Sequence, residues 1–327
     1  MTSRQTALLP WFLFLGLGLM WGSSYLFIKF GVETLQPFQL ISARMLIGFV
    51  ILWLIVGLWK REPLPRDATT YGHLIVMSII NIIIPFALIT WAEQSVDSAV
   101  AAIINGAVPL FIIVPAALFL PDEPITLNKL VSLPLGFIGV VLLVVKDLGV
   151  GGSNALGAIA LLGATLAYAF GGVYSRKFIR NLRPMIPALF QVSFAVVWSV
   201  LLMLLLEGLP TVAAFTPTVT LSVLWLGIFG SSLAYLAFFR LLQDWGATRT
   251  ALLAYLLPVV GIVLGVAVRN EQIDIRAILG TGLILLGIGL ANSKFGARRL
   301  WGRGKIPTAT PTQTNAAATA AEGGEAV

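Results

Sequence analysis

Runs of apolar residues recur along almost the whole chain, separated by short polar segments that hold most of the charges, prolines and turn residues. Each run is close to the about 20 residues that a helix needs to cross roughly 30 Å of hydrocarbon. Only helices and closed barrels satisfy their own backbone hydrogen bonds there, and runs this long and continuously apolar exclude a barrel. The pattern predicts ten transmembrane helices. The first five cover Leu8 to Phe30, Phe38 to Trp59, Gly72 to Trp91, Ser98 to Leu120 and Leu127 to Val145. The second five cover Leu156 to Tyr174, Ile186 to Leu206, Val219 to Leu242, Thr250 to Val268 and Ile275 to Ser293. The first run exceeds the apolar core of a signal peptide, about 7 to 15 residues, and no small-x-small cleavage site follows it, so it reads as a retained helix.

Composition narrows the classes of function. Of 327 residues, 58% are apolar and 11% charged, against about 25% charged in ordinary soluble domains; mean hydropathy is +0.95. The chain has no cysteine and one histidine, which excludes disulfides, thiolate metal sites and histidine clusters. No metal and no cofactor is expected. The net charge of +7 is explained by topology rather than by a nucleic-acid partner. With the N-terminus inside, sixteen of the 21 basic residues fall in cytoplasmic segments, four (Lys29, Lys146, Arg269, Arg276) fall outside, and Arg44 lies within a span. The positive-inside rule then puts both termini in the cytoplasm. Residues 306–327, rich in Thr, Ala, Pro and Gly without large apolar side chains, read as a disordered tail.

Laid on itself at a shift of about 148, the chain repeats uncommon residues in order. Gly16, Trp21, Lys29 and Pro37 fall on Gly163, Tyr168, Arg176 and Pro184. Gln94 and Pro109 fall on Gln243 and Pro258, then Glu123, Ile125 and Gly139 on Glu271, Ile273 and Gly287. Two five-helix repeats, 8–146 and 155–293, are the expected organisation, and an odd helix count forces the second to be inverted. The expected fold class is thus all-α membrane, ten helices in two inverted halves.

These residues resemble the EamA-type members of the drug/metabolite transporter superfamily over about Leu8 to Ser293. The resemblance is carried by Trp21-Gly22-Ser23-Ser24, by Pro37 to Arg44, and by the paired segments Pro109 to Glu123 with Ile125 and Pro258 to Glu271 with Ile273. The family's usual Gly-Glu reads Asp122-Glu123 and Asn270-Glu271 here. The resemblance implies ten helices, a central cavity lined mainly by helices 1, 3, 4, 6, 8 and 9, and export of small organic solutes. The expected setting is a bacterial cytoplasmic membrane, with lipid and a small solute as partners and no nucleic acid.

Polar groups within hydrocarbon are costly and tend to face a bundle interior or a wet cavity. In helix 1, Trp21, Ser24 and Tyr25 share a face, with Gly18 permitting close approach. Packing between helices and contact with solute are both open for Trp21. Helix 3 aligns His73, Met77 and Asn81, of which Asn81 is nearest mid-membrane. Tyr168 in helix 6 corresponds to Trp21, and Ser231, Ser232 and Tyr235 share a face of helix 8. The serines have back-bonding to their own helix as an alternative. Asn105 with Pro109, and Tyr255 with Pro258, put a helix breaker near the middle of helices 4 and 9, as hinge or as static kink. Arg44 is a candidate contact for a solute carboxylate, or else an ion pair with Glu33 or Glu93 or a carbonyl cap. Its counterpart in the repeat is Gln191.

All fourteen acidic residues lie in loops, helix ends or the tail, so facilitated or weakly coupled transport is expected, with His73 the one near-neutral titrating side chain. An alternating-access exporter of small solutes, amino acids first, is the leading reading, with export of amphipathic drugs or cations and a channel-like facilitator as alternatives. An intramembrane enzyme is not expected, because paired aspartates, a metal cluster or an activated nucleophile is missing.

Overall fold

The computed structural model describes residues 3–60, 64–121, 123–148, 153–250, 252–293 and 299–301; the tail expected at 306–327 lies outside them. Among the described residues the apolar runs form ten helices. They are α1 (Leu9–Gly31), α2 (Pro37–Val56), α3 (Ala68–Ala92), α4 (Ser98–Phe119), α5 (Leu127–Leu143), α6 (Ala155–Phe178), α7 (Met185–Leu206), α8 (Pro217–Trp245), α9 (Leu253–Arg269) and α10 (Ile275–Asn292). Helices α5 and α9 are shorter than the other eight. Large apolar side chains such as Phe12, Val197, Leu205 and Leu286 are exposed on the bundle's outside, which suits a lipid solvent and not water. The molecule is a multi-pass membrane protein.

Local chemistry sets the helix ends. Asp67 accepts a hydrogen bond from Thr70 N at 2.7 Å, and Asp274 one from Arg276 N at 3.2 Å, satisfying main-chain donors that a helix start leaves free. The Thr70 bonds hold the exposed Asp67 carboxyl below its ordinary range. Pro37 and Pro217 stand in the first turns of α2 and α8, where a missing N–H is harmless.

Four helices depart from regular α geometry. The α3 segment Ile79–Ile83 and the α8 segment Leu226–Leu233 are π-helical, as is Trp53–Lys60 at the end of α2. Helix α4 is interrupted at Ala107 and at Ile112, on either side of Pro109. Proline 109 has no N–H to donate, and the chain closes the gap with shorter-range bonds such as Leu110 N to Ala107 O at 2.9 Å. Pro258, its counterpart, lies inside an unbroken α9. The two prolines therefore act on backbones of different form.

The main contacts join α5 to α10, α2 to α7, α4 to α9, α1 to α9 and α3 to α6, with α8 against α1 and α2. The crossing of α5 and α10 depends on two glycines. A Cβ on Gly139 of α5 would lie 2.6 Å from Gly280 O of α10, and one on Gly280 would lie 2.7 Å from Gly139 O. Because a backbone atom cannot step aside as a side chain can, Gly139→Val is expected to cost about 1–3 kcal/mol. A melting temperature equal to wild type in detergent would contradict this contact.

The bundle has two chemically distinct ends. At the Lys29 end, Lys29 Nζ donates to Glu93 O and Val96 O, both at 2.7 Å, bridging α1 to the α3–α4 turn. Glu207 accepts from Phe38 N at 3.1 Å and Gln39 N at 3.0 Å, capping α2. Glu271 accepts from Ser98 N at 3.1 Å, Ser98 Oγ at 2.7 Å and Ala99 N at 3.0 Å, capping α4. Arg269 pairs with Glu33 at 2.5 Å.

At the other end Glu123 receives Lys129 at 2.9 Å and also Arg176. Beside it β1 (Ile125–Thr126) pairs antiparallel with β2 (Arg299–Trp301). Burial lifts the Glu123 carboxyl, but hydrogen bonds from Lys129 and Arg176 outweigh that and hold it below the usual carboxylate range. A depressed carboxyl contributes stability above its unfolded pKa, and the contribution is lost as pH falls through the folded value. Wild type should therefore be more heat-stable than Glu123→Gln at neutral pH and lose that margin below about pH 4. A margin independent of pH would reject the assignment.

Candidate functional site

Arg44 is the centre of the polar interior. It lies two turns into α2 and is 2% exposed. Its Nε donates to Ser231 Oγ of α8 at 3.1 Å, and the guanidinium carbon sits 4.4 Å from the centre of the Phe86 ring of α3. Among the described residues no carboxylate comes within 4 Å of it, and Glu33 is engaged by Arg269. The ion pair with Glu33 or Glu93 anticipated from the sequence is not formed. A buried guanidinium without a carboxylate is an uncompensated cation in a medium of low dielectric, and such a group is costly unless something else meets it. Tyr168, Tyr235, Glu93 and Tyr25 lie within electrostatic reach of the guanidinium. Residues of α1, α2, α3, α6 and α8 thus converge there.

A matching but neutral bond also joins the two halves. Asn81 Nδ2 of α3 donates to Gln191 Oε1 of α7 at 3.1 Å. Gln191 falls on Arg44 in the repeat expected from the sequence, and Asn81 stands in the π segment of α3 as Ser231 stands in that of α8. π segments disturb the i to i−4 bonding and are frequent at functional sites. The Gln191 Nε2 is buried without a hydrogen-bond partner, as is Asn105 Oδ1 in α4. The Asn105 amide nitrogen is turned back to Ala101 O at 3.1 Å.

The remaining sequence candidates divide into those near this cluster and those set apart. Trp21 packs on α8, its ring 5.9 Å from Tyr235 and 5.3 Å from Phe238, and its N–H donates to Gly230 O at 3.2 Å. Its one donor is thus already engaged. Ser24 donates to Met20 O at 2.7 Å and Ser232 to Ile228 O at 2.5 Å, the back-bonding that serines in helices adopt. Tyr255 lies apart, its hydroxyl beside Gly289 of α10. Pro258 packs on Gly106 of α4. His73 is also distant, with Nδ1 2.8 Å from Tyr174 Oη and its ring stacked on Phe178.

A family profile decides the wider identity: the EamA-like transporter family matches at residues 8–145 and again at 155–293. The chain belongs to that family. Among curated proteins, this EamA-like chain is 30% identical over 297 residues to the uncharacterized inner membrane transporter YedA of Escherichia coli strain K12, spanning 88% of this chain and 92% of YedA. It is 24% identical to the uncharacterized transporter YoaV of Bacillus subtilis strain 168, spanning 86% and 96%. It is 25% identical to an uncharacterized transporter of Archaeoglobus fulgidus, spanning 82% and 93%. A crystal structure at 22% identity shares the fold, with a TM-score of 0.62 over 91% of this chain and all of that one. As an EamA-like protein, this chain is a membrane transporter.

Two features of the EamA-like bundle, one inside and one on its apolar surface, escaped the sequence pattern. Phe86, an apolar residue among many, carries the face on which Arg44 rests. A groove of about 470 Å³ between α4, α5 and α6, lined by Leu110, Phe111, Val114, Phe137, Leu166 and Phe170 among others, is almost wholly apolar. Apolar side chains carry no marking in sequence that separates a groove wall from a lipid-facing helix.

Proposed function

We propose that this protein is an alternating-access exporter of small solutes bearing a carboxylate, with amino acids as the first class. It works as two inverted five-helix halves with both termini in the cytoplasm of a bacterial cell, in the inner membrane. The observation that carries the reading is Arg44: a buried guanidinium, fixed by Ser231 and Phe86, that meets no protein carboxylate within 4 Å among the described residues. Arginine presents planar donors that match a carboxylate in two-point contact. The aromatic groups of Tyr25, Tyr168 and Tyr235 give the same site apolar surface and hydroxyls within reach of the guanidinium. Inverted halves are supported by contacts that map onto themselves when the halves are exchanged, such as α1 on α9 with α6 on α4, and α2 on α8 with α7 on α3. The orientation puts the Lys29 end outside.

Counterflow in proteoliposomes tests the reading. Labelled amino acids are expected to exchange saturably, while the matching amines lacking the carboxylate are not. Equal exchange of both would remove the role of Arg44, and flux without saturation would indicate a channel. A second reading, export of amphipathic cations, is favoured by the apolar groove of about 470 Å³; lipophilic cations in the same assay would then exchange in preference to amino acids.

A further inference from the structure

Glu93 differs from every other carboxylate at the Lys29 end. It closes α3 and is 0% exposed, and neither of its oxygens has a hydrogen-bond partner. Among the described residues, Glu207 and Glu271 accept main-chain N–H groups, Glu33 holds Arg269, and Asp97 faces solvent. Lys29, which approaches closest, directs its ammonium to the carbonyls of Glu93 and Val96 and not to the Glu93 carboxylate. An ionised carboxylate without water and without donors is among the most expensive buried groups, whereas the neutral acid lacks a partner for one O–H only.

We propose that Glu93 is a proton-binding site linked to the solute site through Arg44. The inference rests on the reading of Arg44 as the contact for a solute carboxylate. Charges act on Glu93 from several elements: Lys29 on α1, Arg44 on α2 and Glu271 on the α9–α10 connection, with the Tyr25 phenol of α1 also within reach. Asp97, in the turn after α3, is exposed, and the stretch of α6 from 155 to 175 contains no charged residue. Glu93 stands two turns along α3 from Phe86, the ring on which Arg44 rests. An ionised Glu93 and a solute carboxylate held by Arg44 are like charges in one low-dielectric interior and repel. Glu93 rests as the neutral acid at neutral pH; where more alkaline pH has ionised it, binding of the solute carboxylate disfavours the charged form, and one proton from water joins the Glu93 carboxylate to restore the acid. Linkage is reciprocal, and acid must strengthen solute binding by the same factor. The position of Glu93 at a helix end, which made it look solvated in the sequence, conceals this burial.

Two measurements on the purified full-length protein test the proposal. Infrared spectra at neutral pH are expected to contain the carbonyl stretch of a buried carboxylic acid that disappears in Glu93→Gln; its absence from wild type would overturn the proposal without reference to any solute. In weakly buffered detergent, at an alkaline pH where the infrared band of wild type is partly lost, an indicator dye is expected to report proton uptake when an amino acid active in counterflow is added, with the uptake lost in Glu93→Gln. Solute affinity should weaken as pH rises in wild type and stay level in Glu93→Gln. Equal uptake by both proteins, or parallel pH profiles, would overturn the link to Arg44. If counterflow finds no amino acid that exchanges, the reading of the solute site fails, and the infrared band still decides the protonation of Glu93.

Discussion

Arg44→Gln is expected to reduce exchange of a carboxylate-bearing solute by about 10- to 100-fold, because a charge-assisted hydrogen bond contributes roughly 1.5–3 kcal/mol over a neutral one's smaller share. The substitution is mild in shape, since glutamine already occupies the corresponding place in the other half at Gln191 and is fully buried there. A glutamine at 44 retains a donor for Ser231, whose hydroxyl now receives Arg44 Nε at 3.1 Å. Loss of exchange with an unchanged melting temperature would locate the effect in binding. Arg44→Lys should recover only part of it, because an ammonium keeps the charge but not the planar pair of donors or the stacking on Phe86. Unaltered exchange in Arg44→Gln would make the guanidinium a packing group.

Glu271→Ala should lower stability by about 3 kcal/mol, from the loss of one acceptor that serves three donors. Ser98 and Ala99 are each 1% exposed, so water cannot replace the carboxylate at their main-chain N–H groups. The start of α4 would carry buried unsatisfied donors, which cost about 1–3 kcal/mol apiece, partly relieved by fraying. Glu271→Gln keeps one acceptor oxygen and should recover part of the loss. Thermal unfolding of the two variants measures this, and a Glu271→Ala protein as stable as wild type would show that the cap is not needed. The contact also ties the α9–α10 connection to α4, so proteolysis near residue 97 should accelerate in the alanine variant.

The helices were readable because their signal is the crudest one a chain carries. About 20 apolar residues in a row cannot be hidden, and observed ends differ from those expected by a few residues, as at Phe38 against Pro37 and Thr250 against Leu253. Charge placement and turn residues marked the same boundaries. The interior was less legible. The spacing of His73, Met77 and Asn81 suggested one stripe, yet His73 meets Tyr174 of α6 while Asn81 meets Gln191 of α7. The π segment at Ile79–Ile83, in which Asn81 itself stands, turns it away from the α-helical register. No residue type announces such a segment. Arg44 was visible as an isolated cation, but its partners were not, because Ser231 is 187 residues away and Phe86 looks like any other lipid-soluble side chain. Helix-end position suggested that Glu93 was wet, and burial by Lys29 and the α3–α4 turn is a tertiary fact.

The bonds Arg44 to Ser231 and Asn81 to Gln191 each join a π segment to α2 or α7, yet only one carries charge. Helices α2 and α7, which supply the arginine and the glutamine, pack directly on each other. A homodimer of the first half alone would bring two guanidinium groups to that contact, and like charges in a low-dielectric interior repel strongly. Joining the halves in one polypeptide frees each to mutate without its twin. A single buried cation of this kind is thus open to one continuous chain and costly to a pair of identical halves.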